Sequence, residues 1–102
     1  MHVQLEVEVR PGEWQAIEPW TPVEETGFTG NPAEIAADVA AVYAREQACE
    51  GATLGDLVRA TVATVTYDEG CFVSAEMLAR AEARVGFDVA AADATPVPLG
   101  AV

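Results

Sequence analysis

Residues 2 to 10, HVQLEVEVR, alternate with a period of two. Val3, Leu5, Val7 and Val9 fall on one side, and His2, Gln4, Glu6, Glu8 and Arg10 on the other. An extended strand separates these two sets, because its successive side chains point to opposite faces; a helix would scatter the valines around its circumference. The chain therefore begins with a strand that has one apolar face and one polar face. It needs a neighbour on its edge and a layer over its apolar side.

The neighbour is close at hand. RPGE supplies a turn, with Pro11 fixing φ and Gly12 accepting a positive φ. EWQAIE (13 to 18) returns as a second strand. Trp14 and Ile17 fall on opposite faces of a regular strand, so either a bulge intervenes or one of the two is partly exposed. A two-stranded hairpin is marginal in water, and a third strand stabilises it. DLVRATVATVTYDEG (56 to 70) is the candidate for that strand. Its spacing also fits a helix, with Leu54, Leu57, Val58, Thr61, Val62 and Val65 on one face and a capping box from Thr53 and Asp56. Its β-branched residues and Tyr67 favour extended structure. The expectation is a strand over 57 to 67, the alternative a helix over 53 to 65.

Two helices are expected. Asn31 is an N-cap, Pro32 suits the first helical position, and Glu34 completes a capping box. Ile35, Val39, Val42 and Tyr43 would form the buried stripe, and Gly51 the stop. Ser74 would cap a second helix, AEMLARAEARV, with Met77, Leu78, Ala81 and Val85 on its apolar side and Gly86 at its end. Between the second strand and the first helix, PWTPVEETGFTGN (19 to 31) reads as a loop, with Trp20 and Phe28 pinning it or Trp20 left free as a partner anchor.

The expected fold is thus a small α+β domain in the order ββαβα: a three-stranded antiparallel sheet with both helices on one face. The alternative order is ββααα. Residues 1 to 90 form the domain, with Phe87 and Val89 docking on it, and 91 to 102 a frayed tail.

The charge is unusual for a chain of 102 residues: 17 acids, five bases, a net charge of −12. The bases are Arg10, Arg45, Arg59, Arg80 and Arg84, and there is no lysine. An acidic surface keeps a small protein dispersed. It also disfavours direct nucleic-acid binding, since phosphates would be repelled and the arginines are scattered. No basic-then-apolar leader is visible, and no apolar run approaches the roughly 20 residues of a bilayer span. A cytoplasmic protein away from membranes is expected, with Cys49 and Cys71 as two small buried thiols rather than a disulfide.

Catalytic constellations are missing from the sequence. His2 is the sole imidazole and lies at the terminus, so neither Ser74 nor a cysteine has a base to activate it. Two cysteines and one histidine at these spacings make no zinc site, and YDEG has too few oxygen ligands for calcium. GFTGNP has no lysine and does not cradle a phosphate. Carboxylate pairs such as Glu6 and Glu8 would need a cleft to work as an enzyme. No cofactor or metal is expected.

The sheet surface left uncovered is the remaining candidate. Glu6 and Glu8 lie on it, and cross-strand charge pairing would bring Arg59 beside them. Thr61, Val65 and Tyr67 then share that face, which gives an acidic surface with an apolar patch. The sequence therefore points to a non-catalytic protein-interaction or accessory protein that binds another protein or a second copy of itself. Its candidate contact residues are Glu6, Glu8, Arg59, Val65, Tyr67 and Trp20. A second reading is an acidic inhibitor that imitates nucleic acid before a basic DNA-binding protein. An enzyme using surface carboxylates is the third.

Overall fold

The first strand, β1 (His2–Arg10), uses its two sides as the alternation predicts. Val3 and Val7 are buried, and Leu5 and Val9 pack half-buried against the same core. A computed structural model describes residues 1–50, 57–85 and 95–97, and for Cys49, its two helical neighbours and Thr95 only the backbone. β2 (Glu13–Ala16) pairs antiparallel with β1, and the register slips between Glu8 and Arg10, a bulge that belongs to β1. Trp14 stands opposite Glu8 and so lies on the polar face. Ile17 turns to the core, its N–H donating to the Leu5 carbonyl at 2.9 Å. The two residues do sit on opposite faces, with Trp14 half-exposed.

The segment expected as a plain loop is more ordered than that. β3 (Thr21–Pro22) pairs with Val3 and His2, on the same edge of β1 that β2 occupies further along. A single 3-10 turn, Val23–Thr26, buries Val23 and closes on Thr26, whose hydroxyl donates to the Val23 carbonyl at 2.7 Å. Phe28 packs partly buried against the core.

The helix α1 (Pro32–Glu50) starts as its sequence predicts. The Asn31 side-chain oxygen accepts from the Glu34 N–H at 2.9 Å, and Ile35 N–H closes the first turn on the Asn31 carbonyl. Its buried side is Ile35, Ala36, Val39, Ala40 and Ala44, with Tyr43 partly buried beside them. The expected stop at Gly51 lies outside the described residues.

β4 (Leu57–Asp68) settles the ambiguous stretch as a strand. It pairs with β1 from Val58 to Ala63 and with β5 (Cys71–Arg84) along its whole length. β6 (Thr95–Pro96) adds a short edge beside Glu82 and Ala81, so two residues of the expected frayed tail join the sheet. The sheet is antiparallel throughout, in the order β2-β1-β4-β5-β6, with β3 at the β1 edge.

Both expected orders are therefore corrected. The described residues hold one helix and a sheet five strands across, not three strands with two helices, and 57 to 65 is not helical. The segment expected as a second helix, with Ser74 as its cap, is β5. Its physical reason lies in ARAEAR (79 to 84): Ala79, Ala81 and Ala83 are buried, and Arg80, Glu82 and Arg84 alternate with them. Those alanines stand opposite Val62, Ala60 and Val58 and form the floor under α1. Their small side chains let the helix sit close to the sheet. Leaving β4 without β5 would also strip the central strand of a hydrogen-bonding edge. The hairpin between them is tight. Asp68 pairs with Cys71, and the two residues between, Glu69 (φ 50°) and Gly70 (φ 82°), both take the positive φ that a type I′ turn requires. The expectations for Gly86, Phe87 and Val89 lie outside the described residues.

Candidate functional site

One face of the sheet carries α1; among the described residues no helix or further strand covers the other, the open face. Register fixes which residues share the open face. Glu6 stands opposite Arg59, Thr61 opposite Arg80, Ala63 opposite Met77, Val65 opposite Ala75, and Tyr67 opposite Phe72. This face divides into a polar inner half and an apolar outer half.

In the inner half, Arg59 grips Glu6 with both prongs of its guanidinium. Nε donates to Oε1 at 2.9 Å and Nη2 to Oε2 at 3.2 Å. Their side chains are only 18% and 16% exposed. The guanidinium also lies over the Trp14 ring, 4.2 Å from its centroid, a favourable cation–π distance. Glu8 is engaged locally, accepting the Gly12 N–H at 3.2 Å in the turn. Glu6, Glu8 and Arg59 thus share the face foreseen for them, but Glu6 and Arg59 are committed to each other.

Arg80 is different. Its Nε donates to the otherwise buried Thr61 hydroxyl at 3.0 Å, and its Nη2 reaches the Met77 sulfur at 3.2 Å. Among the described residues no carboxylate comes within ion-pairing distance of it. Burial, and next the neighbouring Arg59 charge, hold its guanidinium below its ordinary pKa; Glu6 and Glu82 act in the opposite sense. A thioether is a weak acceptor, so most of the donor capacity of this arginine is unspent.

The outer half is a two-stranded arm. β1 pairs with β4 no further than Ala63, while β4 and β5 continue together to Asp68 and Cys71. Tyr67 is 45% exposed, Phe72 53%, Val73 56%, Met77 49% and Leu78 40%. Tyr67 and Phe72 meet edge to face with centroids 6.4 Å apart, and His2 packs on Tyr67 at 5.7 Å. The His2 Nδ1 is buried without a hydrogen-bond partner, so this residue is part of the patch rather than a loose terminal side chain. Cys71, an exposed free thiol, stands at the tip, contrary to the expected burial. The Cys49 side chain lies outside the described residues. Trp20 is half-buried on the β2–β3 connection, remote in sequence from the arm.

Val65 and Tyr67 were foreseen in this patch. Met77 and Arg80 were missed, because a helix over 74 to 85 turns them away from β4; Phe72, just before that helix, was assigned to no face. The signal was present in the strict alternation of 79 to 84.

Two concavities lie elsewhere. One of about 480 Å³ is lined by Met1, Val23, Glu24, Phe28 and Ile35 among others, and one of about 340 Å³ by Leu5, Glu18, Val39, Tyr43 and Glu46 among others. No described histidine or cysteine lines either of them. Among the described residues no three His, Cys, Asp or Glu side chains are grouped to hold a metal ion, and no helix is long and apolar enough to cross a membrane. No protein-family model, no curated protein and no solved structure matches the chain.

Proposed function

We propose that this chain is a non-catalytic interaction protein whose working surface is the open face of the β4–β5 arm. A single observation carries this reading. Three large apolar side chains that the register places on the open face, Tyr67, Phe72 and Met77, are 45–53% exposed on one projecting ribbon. Contiguous exposed apolar surface of this kind marks a docking site, since water contact with it is unfavourable.

The face also specifies the chemistry of its partner. Val65, Tyr67, Phe72, Ala75 and Met77 offer no carboxylate, and the inner end of the row is cationic at Arg80. The carboxylate nearest this row is Glu69, in the turn at its outer end. The fitting partner is a protein surface with an apolar strip that ends in a carboxylate.

A photo-cross-linking amino acid in place of Phe72, used in native cell extract, tests this reading. Adducts of defined mass are expected that unlabelled protein competes away and the Arg80→Glu variant does not. The same probe at Asp38, on the exposed side of α1, serves as the control. Equal labelling from both positions, or competition unaffected by Arg80→Glu, would remove the arm as the working surface.

A further inference from the structure

We infer that the partner of the arm is a second copy of this chain, docked face to face about a two-fold axis at the Val65–Ala75 pair, with Glu69 of each copy against Arg80 of the other. This rests on the reading of the arm as the docking surface.

The inference follows from the arrangement of charge along the strip. Arg80 stands opposite Thr61 at the inner end, and Glu69 occupies the turn at the outer end. Along β4, positions 61 and 69 are equally far from Val65. A two-fold axis through Val65 therefore carries the acidic tip of one copy onto the cationic end of the other, and the reverse contact follows by symmetry. In a single copy neither charge is satisfied: Glu69 is exposed with no hydrogen bond or ion pair among the described residues, and Arg80 holds only a hydroxyl and a thioether. Between these ends Tyr67 and Phe72 of one copy meet the exposed Met77 of the other, so aromatic and flexible side chains face each other rather than like against like. The strip spans about 26 Å from end to end at strand rise. At two strands wide, about 10 Å, its footprint is on the order of 500 Å² for the two copies together, the size of a weak encounter, so a reversible dimer with a Kd of about 100 μM or more is expected.

Charge reversal provides the test. Sedimentation velocity from about 1 μM to about 1 mM, at a fixed salt near 0.15 M where the screening length is about 8 Å, should show a concentration-dependent dimer of the unaltered protein. Glu69→Arg and Arg80→Glu should each weaken it by about 10- to 100-fold, because each places like charges together twice. The double variant should dimerise again. An equimolar mixture of the two single variants should form a heterodimer, since both cross-pairs are then complementary. Circular dichroism of each variant separates loss of pairing from loss of fold.

A dimer indifferent to both reversals, or a mixture that stays monomeric, overturns the proposed register while leaving the arm as the docking surface. A monomer at every concentration, with cross-linking from position 72 still lost in competition with other proteins of the extract, overturns self-association alone. No dimer and no arm-specific cross-link overturns both readings.

Discussion

At the scale of single residues, Glu6, Arg59 and Trp14 decide how the open face is held. A carboxylate in the middle of a sheet is costly unless its oxygens are both engaged, and Arg59 engages both. Replacing Arg59 by Met keeps a long apolar stem but leaves the half-buried Glu6 without its donors. The expected loss is about 2 kcal/mol of stability, within the range for hydrogen bonds to charged groups. Arg59→Lys keeps the charge and loses the fork and the flat contact on Trp14, for a smaller loss of about 1 kcal/mol. Chemical denaturation of the three proteins checks the order. A Lys variant as stable as the parent would mean that charge alone, not the two-pronged geometry, stabilises the face. This pair was legible in the sequence. Once β1 and β4 are adjacent antiparallel strands, opposite charges directly across from each other are the expected register. Arg80 was not legible, because placing it required knowing that its segment is extended; read as a helix, its partner is Glu76 one turn away.

At the scale of elements, β5 is where local preference and global packing disagree. Ala, Glu, Met, Leu and Arg are all good helix formers, and Glu76 and Arg80 even have favourable helical spacing. What wins is the sheet. Ala79, Ala81 and Ala83 form a flat, small-residue floor under α1, and a two-residue turn with positive φ at Glu69 and Gly70 delivers the strand to its place. β1 was readable because its alternation used valine and glutamate, which contrast strongly. The alternation of β5 uses alanine, which belongs equally to either structure, so the periodicity carried little weight beside the propensity. One substitution distinguishes the two architectures. Ala81 is fully buried beneath α1. Ala81→Leu forces three extra carbons between sheet and helix and should cost about 1–3 kcal/mol by overpacking. In a helical segment the same change would extend the apolar stripe of Met77, Leu78 and Val85 and leave stability unchanged or raised. Thermal unfolding followed by circular dichroism decides between them.

At the scale of the whole molecule, the charge sets the background against which every contact acts. With seventeen acids against five arginines on one small domain, the excess negative charge repels itself more in the folded state than in the expanded one. The ion pairs of the described residues offset little of this. Arg10 and Glu13 are exposed at 3.9 Å, and such a pair contributes next to nothing, which leaves Glu6 and Arg59 as the pair that is shielded from solvent. Salt screens long-range repulsion between exposed carboxylates strongly and a half-buried, hydrogen-bonded pair much less. Adding salt should therefore stabilise the fold. Relief of about 1 kcal/mol of self-repulsion would raise Tm by roughly 4–8 °C for a domain of this size. Calorimetry at low micromolar protein, where the monomer dominates, should show Tm climbing as sodium chloride is raised from about 10 mM to about 0.5 M, through which the screening length falls from about 30 Å to a few ångströms. Equal ionic strength from sodium chloride and potassium chloride should give the same rise, as screening requires. A Tm that falls over this range would mean that attractive pairs outweigh the net repulsion.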